Sequence, residues 1–347
     1  MGNKIDSHKT ALKEKQRKEN ILWRTLLECL SEIAELNPWD KIPCEVPFAY
    51  IPESNDQMIF FSCVQEADDS KGFLVYPSPR DYQYGTLSQE SEKEETRQFI
   101  EMENYGVFFT KKDDVPEEIQ TIYSQLAVDF GDGLWPWVSN KRHGYWSQTP
   151  HEQELVFILD CLDNLHMQLL ALQEIDAIPD YENGEMLLRY YSAEEDLWYN
   201  VIAPFAIPPE VSSTLAMTEG SPLMEELSQL PVSTSVPRME FDFGWLDEPV
   251  QDEENDIPYF PLHVVVTDRQ ADKQLSLYHC KPEDFIGCAL TALSEVFRKH
   301  GIPETLYVCR DESYDLFEDL AQKLGIQLKR VKHLPSAERI LHALDAV

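Results

Sequence analysis

Seven cysteines carry the most versatile side-chain chemistry in this sequence, because a thiolate can bind a metal, attack an electrophile or form a disulfide. They are dispersed, and no two of them form a Cys-x-x-Cys pair: Cys29, Cys44, Cys63, Cys161, Cys280, Cys288 and Cys309. An odd, dispersed set is typical of reduced, buried thiols in the cytosol, and not of a disulfide framework or a zinc site. We therefore expect a cytoplasmic protein with free cysteines.

Two other features could bind or transform a ligand. His166 lies beside an apolar helical stripe with no partner motif, which favours a half-buried histidine over a catalytic base. Residues 131–146 are rich in tryptophan and turn-forming residues and include the basic triplet Lys141, Arg142 and His143. Because tryptophan is mostly buried, we expect a loop held to the core by its tryptophans, with an aromatic ligand site as the alternative.

Well-marked catalytic motifs are missing from the sequence. It contains no Gly-rich phosphate loop, no G-x-S-x-G elbow, no H-E-x-x-H motif and no Cys/His nucleophile pair. These motifs mark phosphate binding, acyl transfer, zinc-dependent hydrolysis and thiol catalysis. The sequence therefore favours a protein that is not an enzyme and that needs no cofactor.

The charge balance restricts the partners. The chain has 347 residues, with 29 Lys and Arg against 63 Asp and Glu, a formal net charge of −34, and 43% of its residues are hydrophobic. That much apolar side chain predicts a folded protein. Because nucleic acids and anionic membranes repel a polyanion at long range, a protein is the favoured partner and nucleic acid is disfavoured.

No segment predicts export or membrane insertion. The first 20 residues are charged throughout and lack the apolar core of ~7–15 residues that a signal peptide needs. No stretch approaches the ~18 consecutive apolar residues typical of a membrane span. We expect a protein without a membrane partner.

The N-terminal elements predict an α+β domain over residues 1–203. An amphipathic helix is expected over 9–36, followed by antiparallel strands over 46–51, 58–64 and 72–76 and by a further strand over 105–110. The sequence Thr149-Pro150-His151-Glu152 is a capping box that begins a helix over about 150–173, with an apolar face that includes Leu155 and Leu162. Strands over 186–191 and 197–203 form the closing hairpin.

Proline marks the next boundary. Residues 204–236 contain five prolines, Pro237 follows directly, and we assign residues 204–236 to a linker. Beyond it, residues 237–347 alternate in the order β-β-β-α-β-α-β-α, which predicts an α/β domain with a mixed sheet and helices packed on it.

This order resembles the ribonuclease H-like fold, in particular the core of integrases and transposases. In that family a first strand carries a catalytic Asp, a helix ends in a G-x-P turn, and the next strand ends in a second Asp. Asp242 in RMEFDFGWL, the turn at 301–303 (Gly-Ile-Pro) and Asp311 in LYVCRDES match these positions. The resemblance covers about a third of the chain. It implies a mixed ribonuclease H-like sheet in which neighbouring strands bring the two carboxylates together.

The whole chain is also similar to an uncharacterised group of bacterial two-domain proteins of unknown function. The shared features are the tryptophan-rich segment with its capped helix, the E-x-D strand followed by the sequence Pro-Tyr-Phe-Pro at 258–261, and the ending GIQLKRVKHLP. This resemblance implies a bacterial cytosolic setting and carries no established activity.

The ribonuclease H-like resemblance implies metal-dependent phosphoryl transfer, in which carboxylates hold Mg²⁺ or Mn²⁺. Asp242 and Asp311 would supply two carboxylates, and Glu338, 27 positions after Asp311 (338 − 311), is the candidate for the third. Each Asp also has a structural interpretation. Asp311 precedes a helix, where an N-cap carboxylate accepts backbone N–H bonds, and Asp242 lies on the polar side of an alternating strand, as on an exposed sheet face.

Three functions follow. The favoured one is a non-enzymatic interaction or accessory protein with a degenerate ribonuclease H-like domain. The first alternative is a divalent-metal-dependent nuclease that uses Asp242 and Asp311, with basic residues such as Lys329 and Arg330 offsetting repulsion of the nucleic acid. The second is an acidic decoy that mimics nucleic acid, against which stands the simpler role of acidic residues in solubility.

Overall fold

The computed structural model describes residues 2–40, 42, 47–53, 57–65, 70–86, 92–174, 179–206, 221–253 and 257–344, with the side chains of 2–13 and 92–94 excepted. The chain divides into two compact units. The first comprises Met1–Gln89, Glu101–Arg142 and Ser147–Pro209, and the second comprises Glu90–Ile100, His143–Trp146 and Glu210–Val347. The described residues form two mixed sheets and nine α-helices, an α+β arrangement.

The first unit is built on a seven-stranded sheet. Its strands are β1 (Pro47–Ile51), β2 (Ile59–Gln65), β3 (Lys71–Tyr76), β4 (Asn104–Thr110), β5 (Trp135–Lys141), β6 (Glu185–Ser192) and β7 (Leu197–Pro204). They lie in the order β5-β4-β3-β2-β1-β6-β7, and β1 with β6 is the parallel pair among antiparallel neighbours. The predicted antiparallel strands and the closing hairpin are confirmed.

Two long helices cover one face of this sheet. The first helices of the chain are α1 (Gly2–Leu36), α2 (Pro79–Thr86), α3 (Glu92–Glu101), α4 (Glu117–Leu126) and α5 (Glu152–Glu174). Trp23 and Leu30 of α1 and Leu162 of α5 are buried in one cluster with Phe48 and Tyr50 of β1. Because strand side chains alternate between faces, Ala49 belongs instead to a second cluster on the opposite face.

Helix α5 begins at Glu152, and the capping box predicted from Thr149 and Glu152 is wrong, because Thr149 Oγ1 donates to Glu118 at 2.6 Å. The Glu154 side chain accepts a hydrogen bond from the His151 backbone N–H at 2.6 Å, close to the start of the helix. By length and composition α5 is the one described helix apolar enough to cross a membrane, and 44% of its most apolar window is buried. Leu155, Leu162 and Leu165 are buried in the core of the first unit, and core helices pass the same test of length and composition.

The loop predicted over 131–146 is wrong for its central part. Residues 135–141 form β5, which pairs with β4 along its whole length. Pro136 fits there because β5 is an edge strand, where a missing N–H costs no ladder bond on the outer side. Trp135 is buried against Tyr123 and Phe130, so this tryptophan packs in the core as expected.

The basic triplet begins inside the same strand. Lys141 is buried, and its Nζ donates a hydrogen bond to the Met102 carbonyl at 2.9 Å. Burial lowers the pKa of Lys141 to about 8, while the nearby Asp81 and Glu103 carboxylates act in the opposite direction. The Lys141 side chain therefore makes its hydrogen bond in the interior of the first unit.

The second unit is built on a five-stranded sheet. Its strands are β8 (Arg238–Trp245), β9 (Leu262–Asp268), β10 (Lys273–Cys280), β11 (Thr305–Val308) and β12 (Gln327–Arg330), and its remaining helices are α6 (Pro222–Ser228), α7 (Phe285–His300), α8 (Asp311–Leu324) and α9 (Pro335–Leu344). The strands lie in the order β10-β9-β8-β11-β12. Strands β8, β9 and β10 are antiparallel, whereas β11 and β12 run parallel to β8. The predicted element order is confirmed.

Helices cover both faces of this sheet. Met239, Phe241 and Phe243 of β8 are buried in one cluster with side chains of α6, α7 and α8. On the other face, Val265 is buried with Ala337 and other side chains of α9. The alternate β8 residues Glu240, Asp242 and Gly244 therefore face α9.

The predicted boundaries of domains and linker stay a prediction. Within 204–236, residues 207–220 lie outside the described part of the chain. Met224 and Leu227 of α6 are buried in the core of the second unit. The second unit also includes residues 90–100 and 143–146, which the sequence division assigned to 1–203.

We predict that Leu162→Ala lowers the free energy of unfolding by about 2–5 kcal/mol, because the truncation leaves a cavity between α5 and its neighbours. Val156→Ala is the matched control, since Val156 lies on the same helix but is exposed. Urea denaturation of both variants measures the effect. A change below about 0.5 kcal/mol for Leu162→Ala would contradict its place in the core.

Candidate functional site

Asp242 lies in the middle of β8 and is only 4% exposed. Its Oδ1 accepts hydrogen bonds from the Phe243 backbone N–H at 2.9 Å, from Arg310 Nε at 3.1 Å and from Cys309 Sγ at 3.4 Å. The exposed sheet face expected for Asp242 is therefore wrong: α9 packs on this face and removes it from water.

Arg310 is the cation that neutralises Asp242. It follows β11, the strand parallel to β8, and its guanidinium also donates to the Phe243 carbonyl at 2.7 Å and stacks 4.3 Å from the Phe243 ring centroid. Both members of the ion pair are shielded from solvent. An arginine fixed by a carboxylate, a carbonyl and an aromatic ring is a rigid, charge-assisted contact.

Cys309 completes the surroundings of the carboxylate. Burial, and then the neighbouring Asp242 carboxylate, raise the pKa of Cys309 to about 12. The thiol is therefore protonated at neutral pH and acts as the donor in its contact with Asp242. It is not a nucleophile in this state.

A pocket of about 260 Å³ opens beside Asp242. It combines acidic, basic and apolar groups: Arg97, Ile100, Asp242, Gly244, Trp245, Asp247, Arg310, Glu338, Leu341 and His342. The pocket thus brings together two of the three predicted site residues, Asp242 and Glu338.

Glu338 also has a structural partner. It lies in the first turn of α9, and its Oε1 accepts the Leu334 backbone N–H at 3.0 Å. His333 Nδ1 lies 3.4 Å from the same oxygen. This carboxylate therefore satisfies a donor at the start of the helix while it lines the pocket.

Asp311 lies outside the pocket. The parallel pairing of β8 with β11 carries both aspartates toward one end of the sheet, but the Asp311 side chain is 64% exposed and forms an ion pair with Arg330 at the end of β12. The N-cap expected at this position is also wrong: Arg310 is the N-cap of α8, and no side-chain capping bond forms. Arg330, which the nuclease alternative would direct to nucleic acid, contacts Asp311 instead.

The donor set does not match a two-metal centre. Within the described residues, no group of three or more His, Cys, Asp and Glu side chains could hold a metal ion. Mg²⁺ needs several oxygen ligands, and here the nearest cation to Asp242 is the Arg310 guanidinium. The catalytic and metal-binding roles considered for Asp242, Asp311 and Glu338 stay predictions.

Glu240 is the important residue that sequence reasoning missed. It is fully buried, and one carboxylate oxygen accepts the backbone N–H groups of Ser336 at 3.1 Å and Ala337 at 3.0 Å. The other oxygen pairs with Arg269 at 2.8 Å. The signal was present in the E-x-D strand, because residues two apart on a strand share a face; Glu240 and Asp242 therefore both face α9.

Two family models match the chain, and both are described as domains of unknown function. The first, DUF7309, matches residues 23–189, and the second, DUF6930, matches residues 223–345. No curated protein matches the sequence. Two separate segments of the chain thus match models of domains of unknown function, as the resemblance to proteins of unknown function predicted.

We predict that Glu240→Ala lowers the free energy of unfolding of the second unit by about 3–5 kcal/mol, because it leaves the partly buried Arg269 and two α9 donors without their buried acceptor. The exposed Glu304, which directly precedes β11, gives the control Glu304→Ala, which should change stability by less than about 0.5 kcal/mol. Equal effects of the two substitutions would show that Glu240 does not anchor α9.

Double-mutant cycles should distinguish the ion pair of Asp242 from the ion pair of Asp311. We predict a coupling free energy of about 1–3 kcal/mol between Asp242 and Arg310, which are shielded from water. The exposed pair of Asp311 and Arg330 should couple by less than about 1 kcal/mol. Chemical denaturation of the single and double alanine variants gives both coupling free energies. A stronger coupling at Asp311 than at Asp242 would contradict the assignment of Asp242 and Arg310 as the shielded ion pair.

Proposed function

We propose that the chain is a non-enzymatic interaction or accessory protein whose second unit has a degenerate ribonuclease H-like fold. The strand order supports the fold assignment: three antiparallel strands are continued, on the side of β8, by two parallel ones. The turn at 301–303 also supports it. Gly301 has φ +87°, and a Cβ there would come within 2.6 Å of the Pro231 carbonyl oxygen, so the turn requires glycine.

The ion pair between Asp242 and Arg310 carries the functional proposal. In a metal-dependent nuclease, the first-strand carboxylate binds a divalent cation. In this protein the same carboxylate binds a guanidinium that is itself fixed by Phe243. A metal ion could bind Asp242 only after Arg310 is displaced from the buried ion pair. The metal ion would also have to lose part of its hydration shell, and Mg²⁺ dehydrates reluctantly.

Asp311, at the second aspartate position of the ribonuclease H-like family, also argues against metal-dependent catalysis. The Asp311 carboxylate is exposed and neutralised by Arg330, so it does not converge on the pocket with Asp242 and Glu338. Two-metal catalysis depends on carboxylates that converge on ions about 3.5–4 Å apart. The scaffold is therefore better suited to recognition than to phosphoryl transfer.

A protein in the bacterial cytosol is the partner that the chemistry favours. The net charge of −34 opposes long-range attraction to nucleic acid and to anionic membranes. The pocket presents positively and negatively charged side chains to a partner, together with the apolar surface of Trp245 and Leu341. Such a mixed, concave site can accept a polar or amphipathic side chain of another protein.

We predict that the purified chain does not cleave single-stranded or double-stranded DNA or RNA with millimolar Mg²⁺ or Mn²⁺, and that Mn²⁺ raises its melting temperature little. The reason is that Arg310 already supplies the positive charge at Asp242.

In bacterial lysate, the native chain should be recovered with a protein that stays bound after nuclease treatment. Gel-based cleavage assays, thermal denaturation and mass spectrometry of the complex measure these outcomes.

The variants Asp242→Asn and Asp311→Asn decide between the interpretations. Metal-dependent cleavage by the wild-type chain that is lost in both variants would establish the nuclease alternative. Cleavage that survives in both would indicate a contaminating enzyme and would leave the proposal standing. A partner that nuclease treatment releases would contradict the protein-partner proposal and would favour nucleic-acid binding.

A further inference from the structure

Two histidines face each other at the edge of the five-stranded sheet. His263 of β9 and His279 of β10 are partners in the antiparallel register of these strands. The Nδ1 atoms of the two rings are in hydrogen-bond contact, and the ring centroids lie 4.4 Å apart with the ring planes at 80° to each other. Directly opposed residues of two strands share one face of the sheet. The register therefore brings two imidazole nitrogens to one point.

The fold holds one of these rings in place and leaves the other accessible. His263 is 5% exposed, and Val265, which shares its face of β9, is buried in the cluster formed with α9. His279 is exposed, and its strand β10 is the outermost of the described strands, with β9 as its neighbour. A small ligand can therefore reach the pair from the His279 side without opening the core of the second unit.

The contact between the two Nδ1 atoms indicates what the pair can bind. A neutral imidazole has one N–H and one acceptor nitrogen, so a single proton lies between two facing Nδ1 atoms. When the ring that carries this proton holds it on Nε2 instead, both Nδ1 atoms present a lone pair to the same point. Neutral imidazole nitrogen suits Zn²⁺, Cu²⁺ and Ni²⁺, whereas Mg²⁺ and Ca²⁺ prefer oxygen ligands.

The end of α9 gives this region a favourable charge for a cation. The helix begins beside Glu240 of β8, and a Cβ at Gly244, four residues further along β8, would lie 3.5 Å from the Leu341 side chain. Gly244 is the β8 partner of His263. Helix α9 therefore runs toward the end of the sheet that carries the histidines, and the C-terminal end of a helix attracts cations. The net charge of −34 adds a long-range attraction.

We propose that His263 and His279 bind one divalent transition-metal ion of the kind that prefers imidazole, with Zn²⁺ as the reference ion. The ion binds to Nδ1 of both rings and takes the place of the proton between them, which is held on Nε2 of its ring in the bound state. In a tetrahedral site with Zn–N bonds of about 2.0–2.1 Å, the two nitrogens lie roughly 3.3 Å apart. The exposed His279 ring therefore moves outward on binding, and water fills the other two positions.

The metal would link the outermost strand to its neighbour in the sheet. Binding to the folded state alone stabilises the second unit, and it fixes an edge that could otherwise open. Cys280 follows His279, but it packs in the cluster on the opposite face of the sheet, so its thiol does not enter the site. Neither histidine lines the pocket at Asp242, so the inference does not depend on the proposed function.

Isothermal titration calorimetry of the full-length chain without an affinity tag tests the proposal, with ZnCl₂ as the titrant. We expect one Zn²⁺ per chain and an affinity at least tenfold lower in His279→Gln, because this variant loses one of the two protein ligands. In thermal denaturation, Zn²⁺ should raise the melting temperature of the wild-type chain, and EDTA should reverse the increase. Mg²⁺ at the same concentration should have little effect.

Two further variants complete the test. His263→Gln should lose the same affinity, and if this buried substitution prevents folding, as circular dichroism would show, the exposed His279→Gln decides. His151→Gln changes an exposed histidine outside the pair and should bind Zn²⁺ as the wild-type chain does. Equal Zn²⁺ affinity of the wild-type chain and His279→Gln would overturn the proposal, and so would the absence of binding at millimolar Zn²⁺.

Discussion

The buried carboxylate of Glu240 is the contact on which the arrangement of the second unit depends. A charge without access to water must be paired and hydrogen-bonded, and Glu240 meets this requirement with Arg269 and with the first N–H groups of α9. The positive end of a helix and a guanidinium together compensate the carboxylate. The consequence is geometric: the start of α9 is fixed over β8, on the face that Asp242 shares.

The pocket follows from this placement. With its first turn held by Glu240, α9 presents Glu338, Leu341 and His342 beside Asp242. Glu338 at the same time accepts the Leu334 N–H, so a residue that a family comparison marks as a potential metal ligand also stabilises the helix that carries it. Substituting Glu338 therefore alters the wall of the pocket and the end of α9 together, and loss of function in such a variant would not by itself identify a catalytic group.

The sequence was informative where local patterns decide structure. The predicted helix start at about residue 150 lies within two residues of the observed start of α5, and the alternation of strands and helices predicted the correct element order for the second unit. It failed where distant elements decide. Asp242 has the sequence pattern of an exposed strand position, but α9, about ninety residues away in the chain, buries it. The turn-forming residues of 131–146 predict a loop, because sequence alone does not show that β5 is an edge strand, where Pro136 is tolerated.

The same limit applied to charged and sulfur-containing residues. Lys141 belongs to a basic triplet that could mark a binding surface, yet its ammonium group donates to a carbonyl in the interior. Cys309 belongs to the dispersed set of cysteines, yet its thiol donates to the buried Asp242 carboxylate at 3.4 Å. The two residues are 67 positions apart in the chain, and spacing motifs do not capture pairs of this kind.

Both aspartates pair with an arginine, and the pair of Asp242 and Arg310 is the one shielded from water. Arg310, just after β11, pairs with Asp242, and Arg330, at the end of β12, pairs with Asp311. Each carboxylate therefore pairs with an arginine that lies in, or directly after, a neighbouring parallel strand. This occurs in a chain with 29 basic against 63 acidic residues. Arginine cannot give up its proton in a protein and does not exchange with solvent as a metal ion does, so it provides a permanent charge at a fixed position. A permanent charge preserves the shape of a binding pocket, whereas phosphoryl transfer needs a cation that can exchange water for substrate oxygens. The buried pair of Asp242 and Arg310 thus supports the proposed role of the second unit in recognition.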